Sequence, residues 1–228
     1  MNSLVGQIND ILWSYVLIIL LIGAGIIFTI RTKFVQIRFI KEMIRLIAGD
    51  VGNKMEGQQI SSFQAFCVST ASRVGVGNIA GIAIAVVLGG PGAIFWMWII
   101  AILGSATGFV ESTLAQIYKV PRTDSNGYLG GPAYYINNAL HSPKTAVFFA
   151  ILISVTYGLI FNSVQSNTIS LSLQTAFNFD ATMIGIVIAI FSGIVVFGGL
   201  HRIAKVTEYM VPIMAGIYLL IAFCYHYI

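Results

Sequence analysis

Residues 72–81 read SRVGVGNIAG. They lie inside an apolar run, roughly 61–88, with the composition of a membrane helix, yet they carry three glycines, an asparagine and an arginine. Twenty-eight helical residues would measure about 42 Å, against a bilayer hydrocarbon core of about 30 Å. One straight crossing does not fit that length. Gly75 and Gly77 each give up about 1 kcal/mol of helix propensity relative to alanine in the middle of the run. Irregular backbone in a bilayer is tolerated only where protein or a polar cavity surrounds it. If the helix opens at the glycines, N–H groups at the start of its outer half suit an anionic group such as a carboxylate. Carbonyl groups at the end of its inner half suit a small cation. The amide of Asn78 supplies one more oxygen to that cation. The stretch therefore predicts a discontinuous membrane helix offering complementary halves of a site for a carboxylate and for a small cation.

Two plainer explanations cover less. Small residues at Gly77, Gly81, Ala85 and Gly89 recur every four positions, and such a stripe by itself means close helix packing. Packing accounts for Gly81 onward but not for Gly75, which is off the stripe, nor for Asn78 and Arg73. GVGNIA also matches the loose dinucleotide pattern G-x-G-x-x-A. That pattern needs a strand before it and a βαβ unit around it, and neither fits a membrane span.

Composition sets the solvent. The 228 residues are 57% hydrophobic and 9% charged, with a mean hydropathy of +0.89. Soluble domains carry about 25% charged residues, so the expected partner of this surface is a lipid bilayer. Lys and Arg are too few for a nucleic-acid patch, so no nucleic-acid partner is expected. Cys67 and Cys224 both fall in apolar runs and read as core residues. The N-terminus has no Lys or Arg before an apolar run long enough to cross a bilayer, which argues against a cleaved signal peptide.

Six spans are predicted, at about 11–30, 61–88, 93–118, 145–165 with an extension, 181–199 and 208–227. Residues 1–60 form a first unit, a membrane helix followed by a basic amphipathic stretch suited to an anionic leaflet. Residues 61–228 form a five-helix second unit. The loop after span three, with NGYLGGPAYYI at 126–136, predicts a short interfacial helix. Arg31, Lys33, Arg38, Lys41, Arg45 and Lys54 follow span one, Lys119, Arg122 and Lys144 follow span three, and Arg202 and Lys205 follow span five. All eleven fall on one side, which the positive-inside rule makes cytoplasmic, with both termini of this chain outside. Trp13, Trp96 and Trp98 sit near the outer ends of spans, as interfacial anchors do.

The run FQAFCVSTASRVGVGNIAGIAIAVVLGGPGAIFWMWIIAILGSATGFVESTLAQIYKV, residues 63–120, with the later GGPAYYI and VQSNTIS, closely resembles the alanine-or-glycine:cation symporter family, the sodium:alanine symporters. The resemblance implies an all-α polytopic membrane protein. It implies the first inverted repeat of a leucine-transporter-like fold, preceded by one extra helix. It also implies sodium-coupled symport of alanine or glycine across the cytoplasmic membrane. Carried onto these positions, the N–H groups of Val76 and Gly77 would hold the substrate carboxylate. The carbonyls of Ala71 and Val74 would face one sodium position, and Asn78 would face a second. Family members are about twice this length, so the resemblance implies a truncated or split symporter with a missing C-terminal half. The alternative is a non-transporting fragment or an assembly subunit.

Gln165 and Asn167 close span four, on the helix that lines the pocket in the resembled fold, and are candidate substrate contacts. Two positions apart, they stand about 200° around a helix and cannot both face one pocket unless the helix is distorted. Asn162 is three before Gln165 and on its side. Arg73 and Glu111 are charges placed about 18 Å and 12 Å from the cytoplasmic ends of their spans. Each would cost several kcal/mol unpaired, which makes them a candidate structural ion pair. His141, His201 and His226 share no metal spacing. With Glu111 as the only carboxylate assigned to a span and no histidine beside it, an enzyme is not expected.

Overall fold

A computed structural model describes residues 2–49, 60–123 and 127–226. Lys54 and Asn126 of the loop motif lie outside the described residues. Apart from its turns, the described chain is helical except for a two-stranded antiparallel hairpin, β1 (Val120–Pro121) with β2 (Tyr128–Leu129). Four helices are long and apolar enough to cross a membrane: Leu4–Arg31, Gly92–Ile117, Pro143–Phe177 and Gly199–Tyr225. A fifth crossing is made if the bent pair Ser62–Arg73 and Val76–Gly89 counts as one. The chain is an all-α polytopic membrane protein. Most apolar side chains on these helices are exposed, the arrangement that lipid as solvent permits.

The chain divides into two compact units, each built from two separate stretches: Met1–Lys41 with Ala85–Ile153, and Glu42–Ile84 with Ser154–Ile228. In the first, α1 (Asn2–Ile11) runs through a π-helical turn at Leu12–Val16 into α2 (Leu17–Arg31). Lys33 and Phe34 take left-handed conformations that turn the chain into the short α3 (Val35–Arg38), whose Val35 is buried. Gln36 donates to Thr29 Oγ1 at 3.1 Å and ties that turn back to α2. The amphipathic α4 (Ile40–Gly49) starts at the end of this stretch and falls from Glu42 onward in the second unit. α2 packs along α7 (Gly92–Ile117). A Cβ on Gly25 would lie 2.8 Å from Leu103 Cβ, so the seam closes to a distance only glycine permits. The expected interfacial helix is α8 (Pro132–Leu140), which opens on Pro132 at its first position and packs on α7.

The second unit holds the broken helix. α5 (Ser62–Arg73) and α6 (Ala80–Gly89) are separated by a 3₁₀ turn at Val76–Asn78, and the axis bends by 74°. α5 packs on α12 (Gly199–His226), while α10 (Asn162–Phe177) packs on α11 (Ala181–Val196).

Three predicted spans change. Span four is one helix of 35 residues, in which α9 (Pro143–Val155) passes through a π-helical segment at Thr156–Phe161 into α10. The polar run after Phe161, expected only as an extension of span four, is helical through Phe177. Four of its hydroxyls are satisfied within the helix by carbonyls four residues back: Ser163 by Leu159, Thr168 by Val164, Ser172 by Thr168 and Thr175 by Leu171. Span five is 16 residues long, about 24 Å, shorter than a full crossing. It starts where Asp180 accepts from Met183 N and ends where the Arg202 guanidinium donates to the Ile194 carbonyl at 2.8 Å. Span six begins at Gly199, nine residues before its predicted start. Arg202 and Lys205 are therefore in the first turns of a helix, and Glu208 joins Asp10 and Glu111 as carboxylates within the membrane-length helices.

Candidate functional site

The site is built around the break. Ser61, 2% exposed, caps α5: its hydroxyl accepts from Gln64 N at 3.1 Å, and Gln64 Oε1 accepts from Ser61 N at 3.2 Å. This reciprocal cap satisfies two of the N–H groups a helix start leaves open. The other end of α5 is left unsatisfied. Val74 is extended at φ −91°, ψ 109°, and Gly75 at φ −139°, ψ −168°, so the helical ladder stops. Val74 N still reaches Thr70 O, but no backbone N–H among the described residues returns to the carbonyls of Ala71, Ser72 or Val74. The Arg73 carbonyl accepts from Asn78 Nδ2 at 3.0 Å. That bond commits the amide nitrogen and leaves Oδ1 as the acceptor end, the atom a cation would use.

The outer half presents its N–H groups. Val76 N donates to Gln165 Oε1 at 3.0 Å, and Gly77 N has no partner among the described residues. Gln165 comes from α10, so the bond joins the two elements. Gly75 makes that approach possible, because a Cβ there would collide with Gln165 Nε2. At Gly77 a Cβ would meet nothing within 4 Å. The two glycines thus differ in role. Gly75 clears space for a side chain, and Gly77 is bare backbone.

The other candidates separate. Asn167 does not join Gln165. It lines an open polar groove of about 570 Å3 between α10 and α11, with Asn162, Ser166, Ser170, Thr182 and Gly185 among its walls. Asn162, expected on the side of Gln165, belongs to this groove, where its amide donates to Gly158 O at 3.2 Å. Arg73 reaches back along α5 to the carbonyl and hydroxyl of Ser69. Glu111 belongs to the first unit, where its charge acts on α8. The Tyr135 phenol is pushed above its usual pKa, first by burial and then by the Glu111 carboxylate.

One polar residue escaped the sequence reading. Glu208 Oε2 accepts from Gln64 Nε2 at 2.8 Å, across the α5–α12 seam. The signal that would have found it is the glycine pair before α12, which starts that helix at Gly199 rather than at residue 208.

The break thus sets, among the described residues, free carbonyls at the end of α5 against an N–H end that a side-chain oxygen reaches, with Gly77 N open beside it. The sequence model of the sodium:alanine symporter family matches residues 1–226. The chain belongs to the sodium:alanine symporter family. This family consists of transporters, not enzymes. A probable sodium/glutamine symporter, GlnT of Bacillus subtilis (strain 168), is 52% identical over 223 residues, 98% of this chain and 46% of that protein. The putative sodium/proton-dependent alanine carrier protein YrbD of the same organism is 44% identical over 97% of this chain and 45% of its own length. The sodium/alanine symporter AgcS of Methanococcus maripaludis is 38% identical over 96% of this chain and 49% of its own. The chain spans about half the length of the curated relatives it matches.

Proposed function

We propose that this symporter-family chain binds a small neutral amino acid and sodium at the break between α5 and α6, as part of sodium-coupled uptake across the cell membrane. The observation that carries the reading is the Val76 N–H bonded to a side-chain carbonyl oxygen, beside a Gly77 N–H with no partner among the described residues. Gln165 Oε1 stands where a substrate carboxylate oxygen would sit. Substrate entering the site takes over the N–H groups of Val76 and Gly77, and the released Gln165 amide turns to the substrate. Sodium is held by the carbonyls of Ala71 and Val74, with the Asn78 oxygen facing a second position. A cation at the carbonyl end and an anion at the N–H end each sit at the favourable pole of a half-helix dipole. The ions also attract each other, so each strengthens the binding of the other. The arrangement belongs to the first inverted repeat of a leucine-transporter-like fold, with residues 31–48 on the cytoplasmic side.

Alanine or glycine is the substrate reading, in line with the family description and with the AgcS relative. Glutamine is a second reading, favoured by the 52% identity to GlnT. The test is binding of labelled alanine to the purified 228-residue chain in lipid nanodiscs, with sodium or with choline, and with unlabelled glycine or glutamine as competitor. Sodium-dependent binding displaced by glycine supports the first reading. Displacement by glutamine alone supports the second. A folded chain that binds neither amino acid in sodium overturns the assignment.

A further inference from the structure

The face of α12 turned away from the α5 seam carries an open groove of about 700 Å3, with Arg202, Lys205, Tyr209, Met210, Ile213 and Met214 among its walls. These positions follow one another at three- and four-residue steps, so they form one stripe along the helix. Ala204 and Val211, which are buried, fall on the opposite side. The two ends of the stripe differ in chemistry. Arg202 and Lys205 stand in the first two turns of α12, and the exposed side chains of Tyr209, Met210, Ile213 and Met214 continue the stripe as an apolar track. Long side chains on a helix lean toward its N-terminus. Both cations therefore reach back toward the membrane surface while their alkyl stems lie along the groove. From Arg202 to Met214 the stripe runs about 18 Å, close to the depth of one leaflet in a hydrocarbon core about 30 Å thick.

We propose that this face of α12 is a binding site for one anionic phospholipid, with its phosphate held by Arg202 and Lys205 and an acyl chain laid along Met210, Ile213 and Met214. The cations are exposed, and among the described residues neither is in an ion pair. Arg202 donates from Nη1 to the Ile194 carbonyl at 2.8 Å. That bond fixes the guanidinium at the end of α11 and leaves its other N–H groups for a phosphate. Lys205 has no hydrogen-bond partner among the described residues. The nearest carboxylate along α12, Glu208, accepts from Gln64 across the α5 seam and does not neutralise the pair. The N-terminal pole of the α12 dipole lies at the same end and favours an anion there. Charge complementarity selects the occupant. A zwitterionic lipid brings its own cation beside the phosphate, and a free phosphate leaves the apolar track uncovered. A molecule with an anion at one end and an alkyl chain at the other answers both ends of the groove.

The inference does not rest on the transport reading, and neither does its test. The 228-residue chain is placed in phosphatidylcholine nanodiscs with a trace of phosphatidylglycerol, or of phosphatidylcholine, carrying a photoreactive diazirine in one acyl chain. After illumination, adducts on Met210, Ile213 and Met214 are counted by mass spectrometry. They are scaled to those on Ile18, Ile19 and Leu20 of α2, which are exposed in a stretch with no ionisable side chain. The phosphatidylglycerol probe should label the groove about 25-fold more than the phosphatidylcholine probe, with each cation contributing about fivefold. Lys205→Gln breaks no hydrogen bond among the described residues, so it is the variant read first, and it should lower the preference about fivefold. Adding Arg202→Gln should bring the two probes level. Equal scaled labelling of the unmodified chain by the two probes overturns the proposal, and that comparison needs no variant to fold. Labelling by neither probe would mean that another occupant, such as a second copy of the chain, covers the face, and overturns it as well. A preference that survives both substitutions overturns the assignment of the phosphate to Arg202 and Lys205.

Discussion

Gly75 and Gln165 form one device at the residue scale. The Gln165 side chain lies against bare backbone, and its oxygen takes the first free N–H of the outer half-helix. A methyl group at residue 75 would push the amide away rather than clash with a rigid wall, because the contacting atom is the end of a flexible side chain. The loss is then one hydrogen bond, about 1 kcal/mol. Gly75→Ala and Gln165→Ala should each lower stability by about that amount, and the double variant should be no worse than either single. Gly77→Ala, facing open space, should be close to neutral. Thermal unfolding of the four variants in detergent checks the cycle. Additive losses in the double variant would show that the two positions act independently.

Close approach also decides stability at the scale of elements. The α2–α7 seam has Gly25 facing Leu103 Cβ, an atom fixed to the backbone of its helix. It cannot swing aside as Gln165 can. Gly25→Ala should therefore force the helices apart and cost about 1–3 kcal/mol. Gly23→Ala, two residues earlier with nothing within 4 Å of its Cβ, should be neutral or slightly stabilising through helix propensity. A melting temperature lowered by the first substitution and not by the second is the expected pair of results. Equal effects would mean that helix propensity, not the seam, sets the outcome.

Orientation in the membrane is a property of the whole molecule, and charge predicts it. Lys144 and Asn178 bracket the 35-residue helix of α9 and α10. In a Cys224→Ser background, with the remaining Cys67 buried, cysteine at 144 should react with an impermeant thiol reagent only in inverted vesicles. Cysteine at 178 should react only in right-side-out ones. The opposite pattern would reverse the topology read from the lysines and arginines.

The all-helical class, the membrane as solvent and the break in the second span were legible in the sequence. Each follows from local composition: apolar runs of a length set by the bilayer, and glycines that weaken a helix wherever they fall. Helix ends were less legible. Hydropathy places the end of span four near residue 165, with only an extension beyond it, because it counts hydroxyls as polar, although four of those in 162–177 are returned to the helix's own carbonyls. What tertiary structure alone decided is which side chains meet. Gln165 and Asn167 are two residues apart, yet one reaches the broken helix and the other a separate groove. Gln64 and Glu208 are 144 residues apart and share a hydrogen bond. Such pairings depend on the rotation and spacing of packed helices. Those are set by small residues such as Gly25 and Gly75 acting against partners far along the chain, and no periodicity within one helix encodes the partner it will meet.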